Sequence, residues 1–130
     1  MNKLEESDII YTAGIFDGEG WIGMNTERSL GIRIVSTNYK LIEWLQAKWG
    51  GYIYKRKPYE NSSSKKQSYD WYLTKQENVE IFSEKIYPYL IIKREQIGEA
   101  FEKRKLFLEK RTDRGWINSN NVKKRWSKIH

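Results

Sequence analysis

Two carboxylates, Asp17 and Glu19, stand two residues apart in the run Thr12-Ala13-Gly14-Ile15-Phe16-Asp17-Gly18-Glu19-Gly20. Ile9, Ala13 and Phe16 recur at helical spacing up to this point, so both acids fall where a helix ends. A carboxylate held there can bind a hard divalent cation. Ala13 and Gly14 carry so little side chain that another backbone can approach the same helix closely. Other site chemistries are excluded by composition. There are no cysteines, which removes disulfides, thiolate nucleophiles and cysteine zinc sites. The single histidine is the last residue, His130, which removes histidine triads and most zinc hydrolases. Carboxylate-bound Mg²⁺ is left as the natural hydrolytic device.

The partner suggested by the whole chain is a polyanion. Twenty-four Lys and Arg face 17 Asp and Glu, a net charge of +7, and six Trp and nine Tyr accompany them. A basic, aromatic-rich domain of this kind suits nucleic acid. With 130 residues and 38% hydrophobic content, residues 1–130 are read as one domain, with a core over about 8–110 and a basic extension over about 111–130. No run is long enough to cross a membrane, and the charged N-terminus lacks the apolar stretch of a signal peptide. The expected setting is intracellular: the cytoplasm of a bacterium or phage-infected cell, or an organelle.

The elements that must position the acids follow from periodicity. Ser7 or Asp8 is expected to cap a helix over 8–17, which Gly18 and Gly20 close in a tight turn. Residues 21–26 read as a strand, with Ile22 and Met24 on one face and Trp21, Gly23 and Asn25 on the other. Residues 30–36 form its hairpin partner, with Ile32 and Ile34 inward and Arg33 outward. Thr37 or Asn38 caps a second helix bearing Leu41, Ile42, Leu45 and Trp49, stopped by Gly50 and Gly51. Alternation gives a third strand over 52–57, a polar loop over 58–68 and a fourth strand over 69–74. A helix over about 78–87 places Val79, Phe82 and Ile86 inward and is broken by Pro88. A longer one over about 93–111 carries Ile97, Phe101 and Leu108, and the basic stretch 113–130 follows.

This order predicts an α+β fold: one four-stranded antiparallel sheet, helices on its apolar face, the other face open. On the open face fall Asn25, Arg33, Tyr52, Tyr54, Arg56, Asp70, Tyr72 and Thr74. If that face is curved, those side chains can offer donors and acceptors to base edges in a major groove.

Residues 12–20 resemble the motif of the LAGLIDADG homing endonucleases: Ala13, Gly14, the apolar pair Ile15-Phe16, then Asp17-Gly18-Glu19-Gly20. Thr12 departs from the usual leucine, and Glu19 replaces one acid with another. The resemblance extends to Trp49-Gly50-Gly51-Tyr52-Ile53-Tyr54 before the third strand, to Tyr87-Pro88-Tyr89-Leu90-Ile91-Ile92-Lys93, and to the family's αββαββα order. It implies that Glu19, with Gly18, binds Mg²⁺ over the scissile phosphates. Asp17 then braces the turn, while Ala13, Gly14 and Asp17 belong to the helix face where two units pack. Lys93 matches the family's active-site lysine. The third polar group comes from the end of the second strand, where Ser36, Thr37 and Asn38 all qualify; Asn38 is the one assigned here to the catalytic set.

One motif supplies one acidic centre, and cutting both strands of a duplex needs two. The resemblance therefore implies a homodimer on a long, near-palindromic DNA target, hydrolysing phosphodiesters with Mg²⁺ and leaving 3′ overhangs. It implies a free-standing or intron-encoded protein. Two other functions stand beside this one, the first also implied by the resemblance. One is a non-cleaving DNA or RNA binder such as an intron maturase, with intron RNA as partner. The other is an interaction protein that uses the aromatic sheet.

Overall fold

The computed structural model describes residues 3–26, 28–56 and 66–109. The basic stretch 113–130 and most of the polar loop over 58–68 lie outside them. The chain runs α1 (Glu6–Glu19), β1 (Gly20–Met24), β2 (Leu30–Ser36), α2 (Tyr39–Trp49), β3 (Tyr52–Arg56), β4 (Ser68–Leu73), α3 (Gln76–Ile86), a 3₁₀ turn (Tyr87–Tyr89) and α4 (Arg94–Glu109). The four strands form one antiparallel sheet in the order β1-β2-β4-β3. This is the α+β architecture expected from the sequence. Among the described residues no helix is long and apolar enough to cross a membrane.

Alternation along the strands settles which face meets the helices. Ile22, Ile32, Ile34, Trp71 and Leu73 are all buried, while the residues between them turn away. The helices supply Phe16, Ile42, Leu45, Trp49, Val79, Phe82, Ile86, Ile97 and Phe101 to the same core. Phe82 sits at its centre, edge-on to Trp49 at 4.7 Å and to Phe16 at 5.9 Å between ring centroids.

Several boundaries differ from the sequence reading. α1 begins two residues early, after Glu5. Asp8 acts from inside its first turn, accepting the Glu5 N–H at 2.9 Å. That bond, with Lys48 at 3.1 Å, holds the Asp8 carboxyl below the usual carboxylate value. The helix also runs through Gly18 and Glu19 and ends at Gly20. Neither Gly18 nor Gly20 has a positive φ, so no tight turn explains them. Gly20 is glycine because a Cβ there would lie 2.2 Å from the Phe16 ring. The left-handed glycines are Gly50 and Gly51, with φ of 80° and 84°, where α2 stops as expected. Asn38, rather than Thr37, caps α2, its Oδ1 accepting the Leu41 N–H at 3.3 Å.

Thr12, the departure from the motif's leucine, has a local cause. Its hydroxyl donates to the Asp8 carbonyl at 2.7 Å and accepts the buried Trp49 indole N–H at 3.0 Å. A leucine would leave that indole without a partner. Thr12→Val keeps the shape and removes the acceptor, so the unfolding free energy should fall by about 1–3 kcal/mol in chemical denaturation. An unchanged value would mean the bond contributes nothing.

Candidate functional site

The carboxylates at the end of α1 have different surroundings. Asp17 is half-buried and fully engaged. It accepts the N–H of Ile91 at 2.7 Å, Ile92 at 3.1 Å and Lys93 at 3.0 Å. Three successive amides converging on one anion form a backbone nest immediately before α4. Glu19 is exposed, and among the described residues its carboxylate has no hydrogen-bond or ion-pair partner. One acid therefore holds the architecture, and the other is left available.

Lys93 is delivered to the acids by the same tether. Its backbone is fixed by Asp17, and its ammonium donates to the Gly20 carbonyl, next in sequence to Glu19. The ammonium also lies 5.7 Å from the centroid of the buried Phe16 ring.

Glu19 opens onto a groove of about 330 Å³ that it lines with Val35, Ser36, Thr37 and Ser68. Ser36 and Thr37 therefore share the site, and Asn38 does not. The Asn38 side chain is spent capping α2 and lines a different groove with Asp8, Tyr11, Lys40, Leu41 and Trp44. The structure thus gives Asn38 a capping bond and sets Ser36 and Thr37 against Glu19. Ser68 was missed because it was counted in the polar loop. The signal was present, since Ser68, Asp70 and Tyr72 alternate on one face.

The three residues expected on the packing face of α1 have different surroundings within the chain. Ala13 is 0% exposed and belongs to the protein's own core. Asp17 points to the nest. Gly14 is exposed, and neither it nor Gly18 has any neighbour within 4 Å of where a Cβ would stand. With Ile10 at 47% and Tyr11 at 57% exposure, they form the uncovered side of the helix.

Away from the helices, cross-strand pairing assembles the row Trp21, Arg33, Tyr72, Tyr52 across all four strands. The Arg33 guanidinium lies 5.3 Å from the Trp21 ring centroid, and Tyr52 stacks on Tyr72 at 5.1 Å. Trp21 was not among the expected site residues. The neighbouring row runs Val35, Asp70, Tyr54, with Arg56 beyond it opposite Ser68. Asn25 and Thr74 lie just past the ends of β1 and β4, so they are hairpin and loop positions rather than strand ones. Asp70 is on the expected face but is buried there by Arg56 and Tyr72.

Among the described residues no three acids or histidines converge to cage a metal. The donors that fit Mg²⁺ are hard oxygens: the exposed Glu19 carboxylate and the Gly18 carbonyl, in the last helical turn where carbonyls lack intrahelical donors. Mg²⁺ accepts such a sparse set because it keeps several waters.

No protein-family model and no curated protein matches the chain. Solved structures do. The homing endonuclease I-CvuI, in complex with the I-CreI target in 2 mM Mg with the DNA not cleaved, superposes with a TM-score of 0.60 at 17% identity over 95% of both chains. The same enzyme with its own target in 2 mM Ca gives 0.55 at 16% identity, again over 95% of each. An archaeal intron-encoded homing endonuclease, I-Vdi141I, complexed with DNA, gives 0.59 at 14% identity over 97% of this chain and 98% of that one. The chain has the fold of these homing endonucleases.

Replacing Asp17 by Asn puts an amide group against backbone N–H donors. Stability should drop by about 1–3 kcal/mol, and hydrogen exchange should quicken at the amides of Ile91, Ile92 and Lys93. Unchanged protection at those three would show that the nest does not depend on the carboxylate.

Proposed function

We propose that this chain is a LAGLIDADG-type homing endonuclease: a homodimer that hydrolyses phosphodiesters of duplex DNA at a near-palindromic site in a Mg²⁺-dependent reaction, leaving 3′ overhangs. The observation that carries the reading is the division of labour at the end of α1. Asp17 accepts three backbone amides, while Glu19, unpaired among the described residues, stands at the mouth of a hydroxyl-lined groove, beside a lysine that Asp17 positions.

Glu19 and the Gly18 carbonyl would hold the metal. When bound, Mg²⁺ supplies Lewis-acid polarisation of the phosphate and a more acidic water. Lys93, anchored through Asp17 and Gly20, offers fixed positive charge where the phosphorane-like oxygens gain negative charge, without reorganisation at that moment. Ser36, Thr37 and Ser68 supply hydroxyls that can orient water in the groove. The face bearing Arg33, Tyr52, Tyr54, Arg56 and Tyr72 is proposed to read the major groove, with Asn25 and Thr74 at its margins. The bare side of α1 is proposed to meet a second copy, which would bring a second Glu19 and so two cutting centres.

Glu19→Gln keeps size and removes charge. It should lower Mg²⁺-dependent cleavage of a duplex library by about 10²-fold or more while retention on the same DNA is unchanged. A variant as active as wild type would remove Glu19 from the site. Binding without cleavage by the wild type would move the reading to the non-cleaving binder, with intron RNA as the next ligand. For the dimer, Gly14→Leu introduces bulk at the closest approach of two helices. It should weaken self-association about tenfold or more in sedimentation; an unshifted dimer would put the interface elsewhere.

A further inference from the structure

The open sheet face contains a buried charge that no cutting step uses. Alternation along β4 sends Ser68, Asp70 and Tyr72 away from the core that holds Trp71 and Leu73. A side chain on such a face is ordinarily solvated, yet Asp70 is 2% exposed. Removing a carboxylate from water is costly unless its oxygens are satisfied. Only one is. Oδ2 accepts from Arg56 Nη2 at 2.9 Å and from the Tyr72 hydroxyl at 3.0 Å. Oδ1 is buried and, among the described residues, has no hydrogen-bond partner.

Oδ2 has a definite effect on its two donors. A phenol carries one hydrogen. Because Tyr72 donates it to Asp70, the phenol oxygen has only acceptor capacity left. The Tyr72 ring is held by its stack on Tyr52, 18° from parallel. Arg56, whose side chain is 42% exposed, donates to the same carboxylate oxygen and carries donors only. One buried oxygen thus sets an acceptor beside a donor group on adjacent strands.

We infer that Asp70 is a positioning residue for sequence readout. Without touching DNA, it leaves the Tyr72 phenol oxygen as an acceptor and holds the Arg56 donor group beside it, so that this part of the face selects a G·C pair in each half-site. In the major groove such a pair presents the acceptors O6 and N7 of guanine and the amino donor of cytosine, the complement of Arg56 and Tyr72. This rests on the nuclease reading for the DNA partner but concerns the sheet, not the cutting centre.

The test is selection of bound sequences from randomised duplex DNA in metal-free buffer, with wild type, Asp70→Asn and Tyr72→Phe compared by sequencing. Asp70→Asn nearly preserves volume but lets either amide atom face Tyr72, so the phenol proton is no longer pinned. Tyr72→Phe keeps the ring and its stack and deletes the acceptor. The expected result is a wild-type consensus with G·C at one symmetric pair of positions, where both variants lose preference about tenfold. The other positions and the salt dependence of binding should be unchanged, which a merely structural loss would not produce. A variant consensus identical to wild type, or a uniform loss at every position, overturns the inference. Should Asp70→Asn fail to fold by circular dichroism, Tyr72→Phe decides alone by the same criterion. A wild type that selects no consensus would instead overturn the DNA-reading premise together with the inference.

Discussion

The arrangement hangs on the capture of the Asp17 carboxylate by three consecutive backbone amides, Ile91 to Lys93. The contact joins residues more than seventy positions apart and ties the end of the motif helix to the start of α4. Backbone N–H groups ahead of a helix need acceptors, and a carboxylate satisfies them with charge-assisted bonds. Because the nest includes Lys93, the same contact sets where the lysine side chain begins, and its ammonium then reaches Gly20. Glu19, two residues on, is exposed and has no partner among the described residues.

This explains why so much of the fold was legible in the sequence and the site only partly so. Helical stripes such as Leu45 and Trp49, or Val79, Phe82 and Ile86, and the alternation in β2 and β4 are local signals, and the core follows from them. The extent of α1 was underestimated because glycine was read as a stop. Gly18 is helical, and Gly20 is small to make way for Phe16. The partner of Asp17 is a backbone segment far along the chain, and no periodicity encodes a nest. Asn38 suits both a cap and a site position by residue type, and its bond to the Leu41 amide shows the cap. Ala13 looked like an interface residue because smallness suits both a helix seam and a tight core; its burial puts it in the core. Ser68 was lost at a strand boundary, where alternation is shortest and weakest.

Beneath the site lies the four-stranded sheet. Its apolar face is filled by Trp71, Ile32 and Ile34, and its polar face is ordered by side-chain pairs running from Trp21 to Tyr52. Exposed aromatics and arginines that stack on one another lose little further freedom when a ligand arrives, which favours specific recognition over loose charge attraction. The bare flank of α1, with Gly14 and Gly18 unopposed, lies on the same helix that ends in Glu19. Any second copy seated there would carry its own Glu19 at the corresponding helix end.

The central claim is that Asp17 is structural and Glu19 is the metal ligand. The most direct measurement is a crystal structure of the protein with Mn²⁺ and a duplex that it selects, read by anomalous scattering. The account predicts anomalous density against the Glu19 carboxylates of two copies related by a two-fold axis, with Asp17 still accepting the amides of Ile91, Ile92 and Lys93. Metal bound to Asp17, or density absent from Glu19, would contradict it.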